Sequence, residues 1–343
     1  MTQQTRQIVL ASRPEAEPGP ENFRMEQTTL PAPGPGEVLV RVIWMSLDPY
    51  MRGRMSAAKS YVPPIEVGAP MTAGCVAEVI ASGDAGLKPG DLVEGRMAWA
   101  EHALVPVSEV KRIDPAAAPL AAWLGVLGMP GMTAWTGLNR IAQAKAGETI
   151  VVSAATGAVG SLAAQLARRK GMRVIGVAGG PDKCARAVAD YGCHVCLDHR
   201  AAPDARALSD QIRQAAPDGV DVYFENVGGK TLEAVLPRMN IHGRIAVCGT
   251  IAWYSGVDNP PPLPPVWRTI LTRRLRIEGF IVFDHYAHTP EFLAEVQPLV
   301  AAGEIRWRET IAEGLDNAPA AFIGLLQGKN DGKQLVRIGA DPA

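Results

Sequence analysis

The stretch Thr149-Ile-Val-Val-Ser-Ala-Ala-Thr-Gly-Ala-Val-Gly-Ser161 decides the fold. Thr149–Ser153 is a short β-branched run, the composition of a strand buried on both faces. A turn follows as Ala155-x-Gly157-x-x-Gly160, and residues 161–170 then carry apolar side chains at helical spacing. Strand, turn and helix in that order are the context a dinucleotide fingerprint requires, here with Ala155 where the first glycine would stand. Gly157 would let the backbone approach a pyrophosphate, and Gly160 would let the helix pack closely on the strand. The helix N-terminus offers unpaired N–H groups and the positive end of a dipole to the phosphates. A glycine-rich turn alone is a weak signal; the elements around it make it specific.

Downstream, strands and helices alternate: Arg173–Ala178 as a strand, 181–191 as a helix, 195–197 as a strand and 204–215 as a helix. Then come a strand at 220–224, a helix at 230–236 and a strand at 243–248. This is the pattern of a doubly wound parallel sheet, an α/β nucleotide domain. Residues 250–265 are Pro-rich and read as a loop, 275–282 as a last strand, and 288–302 as a helix. Upstream, short strands at 7–10, 37–44, 74–82, 91–94 and His102–Pro106 are separated by turn signals, which suggests a compact β-rich domain. Residues 117–127 turn helical, and 128–135 lead into a further helix ending near 142. The expected division is 1–124 with 310–343 as a substrate domain and 125–309 as the nucleotide domain; a strand at 333–338 would return to the first.

Length and charge are consistent with this. A chain of 343 residues is too long for one core. The formal net charge of −1 and pI near 6.6 provide no electrostatic footprint for nucleic acid or an anionic membrane. No apolar run is long enough to span a bilayer, and residues 1–10 lack the apolar core of a secretory signal, so the cytoplasm is the expected location. Five cysteines at irregular spacing (Cys75, Cys184, Cys193, Cys196, Cys248) argue against a disulfide framework. Cys193-His-Val-Cys196 reads as a buried strand; as half of a zinc site it lacks a second cysteine pair.

NAD-type sites place an acid at the end of the second strand. Here Ala178-Gly-Gly-Pro-Asp-Lys183 has none before Asp182, and Lys183 can neutralise a ribose 2′-phosphate instead, which favours NADP(H). A solvated lysine is the plainer alternative. In the first domain His102 is the sole histidine and Cys75 the sole cysteine, too few ligands for a catalytic zinc, so no metal is expected. There is no nucleophile elbow and no phosphate-transfer loop.

The segments Leu47-Asp-Pro-Tyr-Met-Arg52, Gly128-Met-Pro-Gly-Met-Thr-Ala-Trp135, 154–161, Phe224-Glu-Asn-Val-Gly-Gly229, Val247-Cys-Gly-Thr250 with Tyr254, Gly279-Phe-Ile-Val282 and Gly328-Lys-Asn-Asp-Gly-Lys333 run in order along nearly the whole chain. With them the sequence resembles the zinc-independent medium-chain dehydrogenases/reductases. More closely it resembles the leukotriene B4 12-hydroxydehydrogenase/prostaglandin reductase group, with the curcumin-reductase-like double-bond reductases. The resemblance implies a GroES-like substrate domain beside a Rossmann domain. It also implies NADPH-dependent reduction of the C=C bond of an α,β-unsaturated ketone or aldehyde, in a cleft between the domains. By position, Gly157, Ala158, Val159 and Gly160 would hold the pyrophosphate and Lys183 the 2′-phosphate, with Thr156 and Gly180 also binding the coenzyme. Met132, Thr133, Asn226, Cys248, Gly249, Thr250, Ile251, Tyr254, Phe280, Ile281, Val282 and Asn330 would line the rest of the coenzyme groove. His199 stands where the family usually has a tyrosine near the adenine ribose.

Reduction leaves enolate charge on the carbonyl oxygen, which calls for a hydrogen-bond donor. Tyr254 is the first candidate and Tyr50 the second; either is otherwise a rim aromatic. Arg52 would touch substrate or phosphate, or else form a structural ion pair, and Met129, Met132, Trp253, Trp267 and Tyr286 would make an apolar pocket or plain core. The group is typically dimeric, and the strand at 275–282 would pair with its twofold mate. A quinone reductase and a non-catalytic NADPH-binding protein remain as alternatives.

Overall fold

In the computed structural model, which describes residues 2–255 and 264–342, the run Thr149–Ser153 is buried throughout and sits inside a six-stranded parallel sheet. Across the sheet the strands run Val195–Asp198, Arg173–Ala178, Thr149–Ser153, Val220–Glu225, Met239–Val247 and Arg276–Gly279. Their order in sequence is therefore 3-2-1-4-5-6, and all neighbours are parallel. That order reverses between Thr149–Ser153 and Val220–Glu225, and crevices for ligands form at such switch points, beyond the carboxyl ends of the strands. The chain divides into two compact units, Met1–Gly125 with Glu309–Ala343, and Val126–Arg308, and this sheet belongs to the second.

Helix Ala158–Arg169 begins one turn earlier than the apolar spacing suggests, because Gly157, extended at φ −75° and ψ 171°, is its N-cap. Asp204 likewise is a cap rather than a helical residue: its carboxylate accepts from the amide of Ala207 at 2.7 Å and helix Ala205–Ala215 follows. The last strand is shorter than 275–282. It ends at Gly279, and Val282–His288 coils into 3₁₀ turns as Phe280 and Val282 turn inward. Of the loop expected over 250–265, residues 256–263 lie outside the described residues. Ile251–Trp253 forms one 3₁₀ turn, and helix Pro264–Arg273 occupies what the prolines had suggested was irregular. Proline is tolerated in a first helical turn, where its missing N–H would have had no partner.

In the first unit a mainly antiparallel sheet runs Glu309–Glu313, Lys333–Arg337, Glu37–Ser46, Thr72–Ser82, Leu92–Ala98 and Val110–Arg112, with His102–Pro106 also pairing with Glu37–Ser46. The pair Glu309–Glu313 and Lys333–Arg337 is parallel. Lys333–Arg337 then lies antiparallel to Glu37–Ser46, with Leu335 opposite Ser46. The strand expected at 7–10 runs over Gln3–Leu10 and pairs in a separate ribbon with Phe23–Leu30, which was not apparent from sequence patterning. Its Phe23 stacks on Trp99 and meets the edge of Phe322 from helix Ala318–Leu326, closing the core of this unit. The helix expected over 117–127 is reduced to the single 3₁₀ segment Leu120–Leu124, because Pro119 is held extended immediately before it.

Candidate active site

At the fingerprint turn each small residue has a geometric cause. A Cβ on Gly160 would overlap the carbonyl oxygen of Ala154, so only glycine lets the helix sit this close to the strand end. Ala154 itself is left-handed at φ +49°, and Gly157 donates to its carbonyl at 2.9 Å. The methyl of Ala155, in place of the usual first glycine, is admitted by Gly176 on the neighbouring strand, where a Cβ would stand 3.0 Å from it. Thr156 is buried, and the amides of Ala158, Val159 and Gly160 occupy the first turn, where helical N–H groups lack intrahelical acceptors.

The end of the second strand forms a cationic corner. Gly180, at φ +98°, caps helix Pro181–Ala189 and donates to Asp198 Oδ1 at 2.8 Å; the amide of Arg200 donates to the same oxygen at 2.8 Å. These amide contacts, the one from Gly180 foremost, hold the Asp198 carboxyl below the usual range. A Cβ on Gly179 would lie 2.8 Å from Arg200 Nε and 3.0 Å from His199 Nε2, so the bare turn is what lets those side chains close in. Burial, then the charges of Lys230 and Arg200, with Lys183 contributing less, push the half-buried His199 imidazole down. Lys230 is fixed by a 2.7 Å bond from Nζ to the carbonyl of Ala202. Thus Lys183 and His199, expected from sequence, come together, and Arg200 and Lys230, missed there, join them. A basic residue following the third strand was the available signal, and it acquires meaning only from the sheet order.

At the switch point the strand tips are tied through Glu225, which is 1% exposed. Its Oε1 accepts from Ser153 Oγ at 3.1 Å and from the amides of Val227 and Gly228 at 2.6 and 3.0 Å; its carbonyl accepts the amides of Cys248 and Gly249 at 2.8 and 3.1 Å. Burial raises the Glu225 carboxyl above the ordinary range. Asn226 is held on the first strand, with its amide on Ser153 Oγ at 2.8 Å and Nδ2 on the Ser153 carbonyl at 2.7 Å. Burial pushes the Cys248 thiol up to about 12, which leaves it protonated. Tyr254 folds back over this tip. Its hydroxyl accepts from the Thr250 amide at 3.4 Å and would lie 3.1 Å from a Cβ on Gly249. The amide of Ile251 reaches the Asn226 carbonyl at 3.4 Å. Because the Tyr254 oxygen accepts in that contact, its proton is left to donate elsewhere. Burial also raises its pKa, so the hydroxyl stays protonated at neutral pH.

Other expected residues are placed differently. Met132 and Thr133 are buried, with Thr133 Oγ1 donating to the Met129 carbonyl at 2.7 Å. Phe280 is buried toward Gly137 and meets the edge of His285, Val282 is buried, and Ile281 is half-buried. Trp253 packs its ring over Gly228. Trp267 stands 74% exposed on helix Pro264–Arg273, and Tyr286 is 45% exposed against Phe283, so neither builds an enclosed pocket within this unit. In the first unit, Tyr50 is half-buried at the start of the short helix Met51–Arg54. Asn330 Nδ2 donates to the Gly332 carbonyl at 2.7 Å. The buried Arg52 guanidinium donates to the Ala16 carbonyl at 3.1 and 2.6 Å and to the Pro14 carbonyl at 3.4 Å. These bonds brace the 13–19 connection.

These features fit NADPH: a helix end shaped for diphosphate, a corner of four basic side chains for a 2′-phosphate, and a polar strand tip beyond it. Two family models match, an N-terminal domain of oxidoreductase over residues 6–113 and a zinc-binding dehydrogenase over residues 158–298. The NADPH-dependent curcumin reductase of Escherichia coli (strain K12) is 45% identical, across 99% of this chain and 98% of that protein. The chain belongs to the zinc-independent medium-chain dehydrogenases/reductases, in their curcumin and alkenal reductase group. The NADP(+)-dependent 2-alkenal reductase of Nicotiana tabacum is 39% identical over 97% of both chains. The crystal structure of CurA from Vibrio vulnificus in complex with NADPH superposes with a TM-score of 0.92 at 43% identity, covering 98% of this chain and all of that one. In this medium-chain reductase no cluster of three or more His, Cys, Asp or Glu side chains suited to a metal occurs among the described residues.

Proposed function

We propose that this protein reduces the C=C bond of α,β-unsaturated ketones and aldehydes with NADPH. The single observation that carries the coenzyme assignment is the cationic corner in which His199 and Arg200 close on Gly179 while the charges of Lys230 and Lys183 bear on His199, with the one carboxylate among the groups that bear on His199 already engaged by backbone amides. Relatives that share about two-fifths of the sequence and carry curcumin reductase and 2-alkenal reductase activities in their names support the substrate class.

When bound, NADPH would supply the hydride for the β-carbon of the substrate. The chain's part is to orient and to stabilise charge. The Tyr254 hydroxyl donates to the carbonyl oxygen as negative charge develops there, with Tyr50 as the second candidate donor. A phenol kept neutral by burial suits this role, because a hydrogen bond strengthens as its acceptor gains charge. No acidic side chain is assigned to the α-carbon, and water is the proton source. The Glu225 node holds Asn226 and the Cys248–Gly249 amides as one wall of the groove.

We further propose a homodimer through the edge of the parallel sheet that carries no further strand among the described residues. Strand Arg276–Gly279 ends the sheet, Ile277 is 39% exposed on it, and Trp267 and Leu271, one turn apart on the preceding helix, are 74% and 76% exposed. An open edge beside exposed apolar side chains is a surface that proteins usually cover. The five cysteines are free thiols, which suits the reducing cytoplasm.

The test is NADPH oxidation by the purified protein with an enal, a cyclic enone and a quinone, followed by product analysis. Saturated carbonyl products support the proposal. Turnover with the quinone alone favours quinone reduction, and tight NADPH binding without oxidation of any of the three favours a binding protein.

A further inference from the structure

Two loops of the first unit carry residues assigned above: the turn after Glu37–Ser46, with Tyr50, and the turn before Lys333–Arg337, with Asn330. They are joined by an ion pair between residues far apart in sequence. Lys333 Nζ donates at 2.7 Å to Asp48 Oδ1 and at 2.7 Å to the Leu47 carbonyl. Both partners are buried, Lys333 at 4% exposure and Asp48 at 6%. The second carboxylate oxygen accepts from the Ser46 hydroxyl. Backbone contacts continue the joint: the Leu47 amide reaches the Gln334 carbonyl at 3.1 Å, and the Asp48 carbonyl accepts the Met51 amide at 3.1 Å. Pro49, with its fixed φ, is the one residue between Asp48 and Tyr50.

Burying two charges is costly, and an apolar pair of similar volume often holds a core as well or better. Stability therefore does not explain this pair. What an ammonium adds is direction: two of its protons are committed to acceptors on one turn, so that turn has one position relative to the strand of Lys333. We infer that Lys333 and Asp48 are positioning residues for the reduction, clamping the Tyr50 turn to the Asn330 turn without themselves contacting the reacting atoms. This inference rests on the reading of the chain as an enone reductase.

The experiment compares native protein with Lys333→Met/Asp48→Leu, which keeps volume and removes both charges, and with Asp48→Asn, which keeps shape and removes one. Each is assayed for urea midpoint, NADPH affinity by fluorescence titration, and kcat and KM for a cyclic enone. The double variant is expected to unfold near the native midpoint. Its kcat should fall about 10- to 100-fold, because loosely held reacting groups lose that much rate, with a far smaller change in NADPH affinity. Native kcat in a stable double variant would overturn the inference, since a purely structural pair is replaceable by apolar packing. Should the double variant fail to fold, Asp48→Asn decides: lowered kcat with native NADPH affinity supports the clamp, and native kcat overturns it. Failure of the reductase reading would show separately, as native protein that oxidises no NADPH with any enone, and the inference would fall with it.

Discussion

Replacing Glu225 by alanine and by glutamine tests the core of the candidate site. The Glu225 Oε1 receives two backbone amides, Val227 at 2.6 Å and Gly228 at 3.0 Å, and the Ser153 hydroxyl at 3.1 Å. Alanine leaves both amides without their acceptor, and an unsatisfied buried donor costs about 1–3 kcal/mol. The Gly228 contact is buried and the Val227 contact partly so, which brings the expected loss to about 2–5 kcal/mol. Glutamine keeps an oxygen in the Oε1 position and should lose within about 1 kcal/mol. The two also differ with pH. Burial raises the folded-state pKa of Glu225 above its unfolded value of about 4.3, so the unfolded chain releases this proton first. Native stability therefore declines as pH rises from the ordinary carboxylate range through the folded pKa. Glutamine lacks that decline, so it gains on the native chain as pH rises. The assay is urea unfolding followed by tryptophan fluorescence at several pH values, with NADPH titration of each variant. An alanine variant as stable as native would refute the node, and a glutamine variant as damaged as alanine would show that a carboxylate charge is required there.

Lys183→Ala and Arg200→Ala should each weaken NADPH about tenfold, the scale of one charge-assisted hydrogen bond, and leave NADH affinity nearly unchanged; equal losses for both coenzymes in a titration would remove the residue from the 2′-phosphate corner. Tyr254→Phe should lower kcat for an enone by about 100-fold, as loss of one oxyanion donor does, with little change in NADPH affinity. Unchanged turnover would pass the role to Tyr50. Arg52→Ala should lower the urea midpoint, because the loop carbonyls of Pro14 and Ala16 lose their donor, and unfolding curves at unaltered NADPH affinity would check it. Trp267→Asp with Leu271→Asp should shift sedimentation toward a monomer, and a native profile would place any dimer contact elsewhere.

What residues 149–161 determined by themselves was local. A β-branched run, a turn of small residues and a 3.6-residue apolar repeat each follow from short-range sterics, so the strand, turn and helix could be read off together. The alternation beyond them similarly marks a parallel sheet. Proline misled at both kinds of boundary: Pro119 cut back a helix whose composition was helical, and Pro264 began one inside a Pro-rich run. The ribbon of Phe23–Leu30 escaped notice because its buried face depends on Trp99 and Phe322, which are remote in sequence.

The chemistry at the site was decided by sheet order. Alternation alone leaves the strand order open, and the adjacency of the third strand to the second brings His199 and Arg200 to the Gly179–Gly180 turn and sets Asp198 to cap it. Glu225 reads as an ordinary acid at a strand end until the fold buries it among the tips of three strands. Arg52 reads equally as a binding or a structural residue, and its bonds to the 13–19 connection appear only in the fold. Periodicity and turn chemistry act over a few residues and can be seen in one chain of letters. The environment of a charge is set by whatever packs on it, and only the tertiary structure supplies those neighbours.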